Sequence, residues 1–226
     1  NELAFEYGIL SLNQKHEYFH PFHDMCKKHH KDSAYHNGTI WVWNSGPVVD
    51  SMCSIYHQDE VYELSCFHAK QMLDIQDKKT FASRCVGSLS ENINAYKNKN
   101  KIYPSGTWSQ AWSVSEFSRN VFQSYCGIKP DLLNNKIRFT PAFPSDWKTG
   151  EIKFSFGNNS CVLSWNENTS YKKKGMTYYN FTMKLEHPQN LEVEVDAFSG
   201  DVFKTKTFNF DDNSTLSFIA RNKKND

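Results

Sequence analysis

Glu91 is a carboxylate from which chemistry could start, although a glutamate in such a loop is more commonly an ordinary surface residue. It closes the stretch Gly87-Ser-Leu-Ser-Glu91-Asn92, after a glycine that permits unusual backbone conformations. Two further segments bring polar and aromatic side chains close together: Ala34-Tyr-His-Asn-Gly-Thr-Ile-Trp-Val-Trp43 and Trp108-Ser-Gln-Ala-Trp-Ser113. A carboxylate can act as general base or acid, and in sugar hydrolysis it works with a second carboxyl group across a pocket. Asp50, Asp59, Glu60 and Glu63 are candidates for that partner. All four fall at expected helix starts, where acidic groups complement the helix dipole, so a structural role is enough for them. His36 can serve as base, ligand or hydrogen-bond donor. His16, His20, His23, His29 and His30 cluster upstream, but no H-E-x-x-H or similar spacing occurs, so neither a metal centre nor a cofactor is expected. Trp41 and Trp43 flank one β-branched residue, a spacing that suits core packing as well as stacking on the apolar face of a sugar. The chain has no G-x-S-x-G, P-loop or dinucleotide fingerprint.

The elements that must hold these groups change character along the chain. In the first half the apolar spacing is helical. Gly46-Pro47 opens one helix, with Val49, Met52, Cys53 and Tyr56 on one face. A second runs from about Glu60 to Asp74, with Tyr62, Cys66, Ala69 and Leu73 as a stripe and Val61, Leu64 and Phe67 elsewhere. That all-round apolarity predicts burial between neighbours. A third starts at Thr107, where Thr107-Trp-Ser-Gln110 fits a capping box, and Gly127 stands where a left-handed C-terminal cap belongs. The long connection between the last two, from about Lys78 to Gly106, carries Glu91. Connections of that length are commonly functional or disordered.

From about Lys129 the apolar residues alternate with period two. Examples are Ile137 and Phe139; Cys161, Leu163 and Trp165; Phe181, Met183 and Leu185; Val193 and Val195. Turn residues such as Gly157-Asn-Asn159 separate them, which predicts short antiparallel strands. The expected architecture is therefore α + β in two parts. Residues 1–128 form a partial helical catalytic domain, and residues 129–226 form a small antiparallel β-sandwich.

Bulk properties narrow the function. The 226 residues are 38% hydrophobic and carry a net charge of +1, so no strong field points to nucleic acid or an acidic membrane. No apolar run approaches the ~20 residues of a membrane span. The start, Asn1-Glu-Leu-Ala-Phe-Glu-Tyr7, has no Met and no signal-peptide pattern, and is expected to lie inside a longer polypeptide. Six cysteines without a C-x-x-C pair lack zinc-site spacing, and the three that fall in helix-like segments read as small buried apolar residues. Sequons at Asn37, Asn158, Asn168, Asn180 and Asn213 leave the compartment open.

Several motifs resemble amylo-α-1,6-glucosidases and bacterial or archaeal debranching-type enzymes. Tyr35-His-Asn-Gly-Thr-Ile-Trp-Val-Trp43 resembles their Y-H-x-G-x-x-W-x-W stretch, and Tyr7-Gly-Ile-Leu-Ser-Leu12, Lys31-Asp-Ser-Ala34 and Gly46-Pro47 are similar too. Gly87-Ser-Leu-Ser-Glu91 looks like the family's G-x-x-S-E, and Ser109-Gln-Ala-Trp-Ser113 like its Q-A-W-S. Gly127-Ile-Lys-Pro-Asp131 and Thr140-Pro-Ala-Phe-Pro-Ser-Asp-Trp147 are similar to the entry of a trailing β-domain. The resemblance implies the C-terminal portion of an (α/α)6 toroid and an inverting mechanism, with Glu91 as general base and the catalytic acid upstream of this chain. It implies that Tyr35, His36, Asn37, Trp41 and Gln110 surround the innermost glucose. The expected partners are an α-glucan or oligosaccharide and the missing N-terminal half of the parent polypeptide.

Departures from the family pattern at Asn37, Val42 and Ser105-Gly-Thr-Trp108 bear on linkage preference. Other inverting glucosidases of the glucoamylase, trehalase or oligosaccharide-trimming type are an alternative, as is a sugar-binding or scaffolding protein without catalysis. The trailing β-domain is read as a structural cap rather than a carbohydrate-binding module.

Overall fold

The computed structural model describes residues 4–23, 31–73, 81–83, 85–170, 176–199, 202–210 and 214–223. Cys26, His29, His30 and the Asn213 sequon lie outside them. The chain divides into two compact units, Asn1–Val49 with Glu60–Asn120, and Asp50–Asp59 with Val121–Asp226. No helix among the described residues is long and apolar enough to cross a membrane.

The first unit opens with the strand pair β1 (Ala4–Phe5) and β2 (Gly8–Ile9). Helix α1 (Lys31–Tyr35) is followed by β3 (Ile40–Trp41) and a 3-10 turn, Val42–Asn44. Strands β4 (Asn92–Ile93) and β5 (Pro104–Ser105) complete a three-stranded antiparallel sheet in the order β3-β4-β5, with Trp41 opposite Asn92 and Asn92 opposite Ser105. Helices α2 (Ser45–Ser54) and α3 (Gln58–Leu73) each supply residues to both units. Helix α4 (Ala111–Arg119) continues into a π-helical turn, Asn120–Tyr125. Tyr7, Leu10, Ile40, Val42, Phe81, Leu89, Ile93, Ala95 and Ile102 form the core of this unit.

The expected toroid portion is not what these residues build. The described chain is mainly β, with three sheets and four short helices. Helix α3 shows the physical reason. Its buried side is Gln58, Val61, Ser65, His68 and Gln71, whereas Leu73 of the expected stripe is 64% exposed. A helix that buries mostly polar groups cannot act as one apolar stave among many. It needs hydrogen-bonding loops instead, and the Gln71 amide accordingly reaches the Ser90 hydroxyl at 3.4 Å.

Among its described residues the second unit holds eight strands: β6 (Ile128–Asp131), β7 (Lys136–Phe139), β8 (Thr149–Phe156), β9 (Asn159–Glu167), β10 (Met176–Leu185), β11 (Glu192–Ser199), β12 (Val202–Asn209) and β13 (Thr215–Lys223). They form one sheet in the order β6-β7-β11-β13-β10-β9-β8, with β12 paired to β11. Both aspects of the expected small antiparallel sandwich are corrected here. The hydrogen-bonded strands make a single sheet, and β7 runs parallel to β11, with Lys136 opposite Glu192 and Phe139 opposite Val195. Alternation fixes which side chains turn inward, and Cys161, Leu163, Trp165, Phe181, Met183, Val193 and Val195 are buried. It does not fix which strand pairs with which. Pro130 lies on β6, an edge strand, where a missing N–H costs no ladder bond. Phe143 plugs this core with its ring centroid 4.7 Å from Trp165 and 5.3 Å from Tyr179. The Asn222 side chain satisfies Phe143's backbone, donating to its carbonyl at 2.6 Å and accepting from its N–H at 2.7 Å.

Candidate active site

Glu91 sits one residue before β4, in the first unit. Its N–H donates to the Thr107 carbonyl at 2.9 Å, and its carbonyl accepts the Val42 N–H at 3.2 Å. The loop before it is tied to the start of α4. The Gln110 N–H donates to the Leu89 carbonyl at 2.9 Å, the Ser113 hydroxyl to the Ser90 carbonyl at 3.1 Å, and the Ser88 and Ser109 hydroxyls share a bond of 2.7 Å. The side chain is thus presented by a rigid frame and is only 6% exposed.

A carboxylate this buried needs donors. Oε1 accepts the Tyr35 hydroxyl and, at 3.5 Å, the Gln110 amide; Oε2 accepts the Thr107 N–H at 2.8 Å. Burial pushes the carboxyl pKa up. The Tyr35 bond, the Thr107 N–H and hydroxyl, and the electrostatic pull of His23 outweigh it and hold the group below the usual glutamate range. Burial, followed by the bond to Glu91 and its charge, pushes Tyr35 up to about 12, so the phenol remains a donor across the physiological range.

The expected third-helix start is also corrected. Helix α4 begins at Ala111, and Gln110 makes no side-chain cap bond. The Thr107 N–H and the Gln110 amide, which a capping box would use, go to Glu91 instead. Gly106 stands beside this arrangement at φ +68°. A Cβ there would lie 2.5 Å from Glu91 Oε2 and 2.6 Å from Asn92 Oδ1.

Tyr35 ends α1, and its carbonyl accepts both the Thr39 hydroxyl at 2.9 Å and the Trp41 indole N–H at 2.7 Å. Its ring meets Trp41 edge-on at 4.6 Å and His23 at 5.1 Å. His36 stacks flat on Trp41, centroids 5.2 Å apart and planes 10° from parallel. The Asn37 amide nitrogen is spent on the Ser33 carbonyl at 3.1 Å, so that donor shapes the end of α1. Of the six residues named from sequence, Tyr35 and Gln110 touch Glu91, Trp41 and His36 pack around Tyr35, and Asn37 is turned to its own helix. Thr107 and Gly106 were not among the six, and the sequence reading gave Thr107 a helix-capping role instead. Thr107 acts partly through a backbone N–H, which carries no side-chain signature. Beyond Trp41 opens a cavity of ≈ 920 Å³ whose walls include His36, Trp41, Trp43 and Trp112. Among the described residues no cluster of His, Cys, Asp and Glu has metal-binding geometry.

A model of the family described as amylo-alpha-1,6-glucosidase matches residues 1–119, which is more than half of the 226 residues and includes every group just described. The class this defines is that of the glycoside hydrolases. The chain belongs to the amylo-alpha-1,6-glucosidase family. No curated protein and no solved structure matches it.

Proposed function

We propose that the protein takes part in inverting hydrolysis of α-glucosidic linkages, α-1,6 branch points of glycogen-like or maltooligosaccharide substrates, with Glu91 as the general base. The observation that carries this reading is a carboxylate 6% exposed yet held ionised by Tyr35 and Thr107. A base must be ionised at working pH and its oxygen fixed on the water it activates. The Gln110 contact, at 3.5 Å, is at the outer limit of a hydrogen bond and is the one an incoming water displaces. Tyr35 positions the base. His36, Trp41 and the remaining polar atom of Asn37 address the sugar. On this reading a second carboxyl group, across the sugar from Glu91, protonates the leaving oxygen.

The test is hydrolysis of a branched maltooligosaccharide by the parent polypeptide, wild type against Glu91→Gln, with the anomer of released glucose followed by NMR. Release of β-glucose, reduced by at least about 100-fold in the variant, supports the assignment. Unchanged activity in the variant moves the base elsewhere. An inactive wild type favours a sugar-binding protein without catalysis.

A further inference from the structure

Among the described residues β6, β8 and β12 each pair with one neighbour only. Such edges are commonly blunted by shortness, proline or lysine. β6 has four residues and contains Pro130, and β12 carries Lys204 and Lys206. β8 is different. It runs eight residues without a proline, and its one lysine, Lys153, stands two positions from Glu151.

The hairpin that β8 makes with β9 decides where its backbone groups point. Gly157, at φ +60°, and Asn158 form a two-residue loop between Phe156 and Asn159. The pair that flanks such a loop exchanges hydrogen bonds, and so does every second pair along the ladder. The N–H and C=O groups of Thr149, Glu151, Lys153 and Ser155 therefore point away from β9. A row of such groups is a template for another extended strand. Ile152 and Phe154 pack only partly against the core, and Phe154 lines a cavity of ≈ 410 Å³ with Phe122, Ile128 and Pro130. Glu151 and Lys153 are exposed and make no ion pair among the described residues.

Antiparallel pairing of β8 with the same strand of a second copy has one register that suits both faces. With Ile152 opposite its counterpart, Glu151 faces Lys153 and Lys153 faces Glu151 on the outer face. On the inner face Gly150 meets Phe154. A Cβ on Gly150 would lie 2.4 Å from Trp165 Cζ2, so this indole fills the space over the glycine and the incoming phenyl ring packs against it. A slip of two residues either way sets Glu151 against Glu151 or Lys153 against Lys153. A slip of one exchanges the inner and outer faces. The pairing is two-fold, so each contact between unlike residues occurs twice.

We propose that β8 is a homodimer interface, paired antiparallel with β8 of a second copy about Ile152, which extends the sheet across both chains through about eight backbone hydrogen bonds. Sedimentation of the 226-residue chain tests this. At about 100 µM the wild type sediments as a dimer, twice the 26.3 kDa of one chain. Glu151→Lys and Lys153→Glu each set like charges opposite one another at both symmetry-related positions, and each weakens dimerisation about tenfold or more. Mixing the two variants in equal amounts restores association, because the two-lysine edge of one then faces the two-glutamate edge of the other. That recovery also shows that both variants are folded. A monomeric wild type, a dimer indifferent to both substitutions, or two weakened variants that do not recover on mixing each overturns the assignment.

Discussion

Replacing Tyr35 by Phe removes one oxygen and keeps the ring that packs on Trp41 and His23. The lost contact is a hydrogen bond to a charged group, which contributes about 1.5–3 kcal/mol. Tyr35 is only half-buried, so the lower end, about 1.5 kcal/mol, is expected. The effect must depend on pH, because Glu91 has a folded pKa depressed below its unfolded value. Stability from such a group is fully present above the unfolded pKa, near 4.5, and is lost as pH falls through the folded one. The assay is urea unfolding of wild type and Tyr35→Phe between pH 7 and pH 3. The variant is expected to be less stable by about 1.5 kcal/mol at pH 7, and the gap to shrink by about half or more at the acid end, where only a neutral bond can remain. In the active enzyme the acid limb of kcat/KM moves to higher pH in the variant, since the base protonates more easily. A stability gap that does not change with pH refutes the argument, because it means the phenol does not stabilise the ionised form of Glu91.

Gly106→Ala forces a Cβ into a left-handed position against Glu91 and Asn92, and is expected to cost about 1–3 kcal/mol in denaturant unfolding and to lower activity with it. Asn222→Ala strips the partner from the Phe143 N–H, while the Phe143 carbonyl keeps the Gln58 amide at 3.3 Å; a loss of about 1–3 kcal/mol is expected from the same measurement. Burial pushes the Cys53, Cys126 and Cys161 thiols up to about 12 and Cys85 to about 11. With Ellman's reagent at pH 8 these four are expected to react only as fast as the protein unfolds, and the less buried Cys66 before them. Prompt reaction of all four in the native protein contradicts that burial.

The inward faces of the strands in the second unit were legible because period two is set by the pleat itself, and Trp165, Phe181 and Met183 turn in as their spacing requires. Pairing was not legible. The same alternation suits any neighbour, so the parallel contact of β7 with β11 and the central place of β13 had no local signal. In the first unit, the strands β3, β4 and β5 have two residues each, too few to show a period. Helix α3 was found, but its face was misjudged by one residue, because Ser65, His68 and Gln71 are buried where apolar residues were expected. The site was visible as three motifs. That Tyr35 and Gln110 come together with Glu91 was implied only by the resemblance and not by spacing, since 56 and 19 positions separate them from it. The misplaced helix start at Thr107 has the same origin. Capping and carboxylate binding both draw on the Thr107 N–H and the Gln110 side chain, which accepts in the one and donates in the other, and only the fold decides between them.

The place of β13 bears on how the second unit can be made at the ribosome. β13 runs between β10 and β11, so β8, β9 and β10 lie on one side of it and β6, β7, β11 and β12 on the other. Synthesis delivers the strands in order at about 5–20 residues per second. Until Thr215–Lys223 has emerged, the edges of β10 and β11 that it covers in the finished sheet carry unpaired N–H and C=O groups, able to pair with another nascent chain. Such long-range pairing slows folding as well. The interval of greatest aggregation risk therefore falls late in the synthesis of this sheet, when most of its apolar surface already exists and the strand that joins its halves does not.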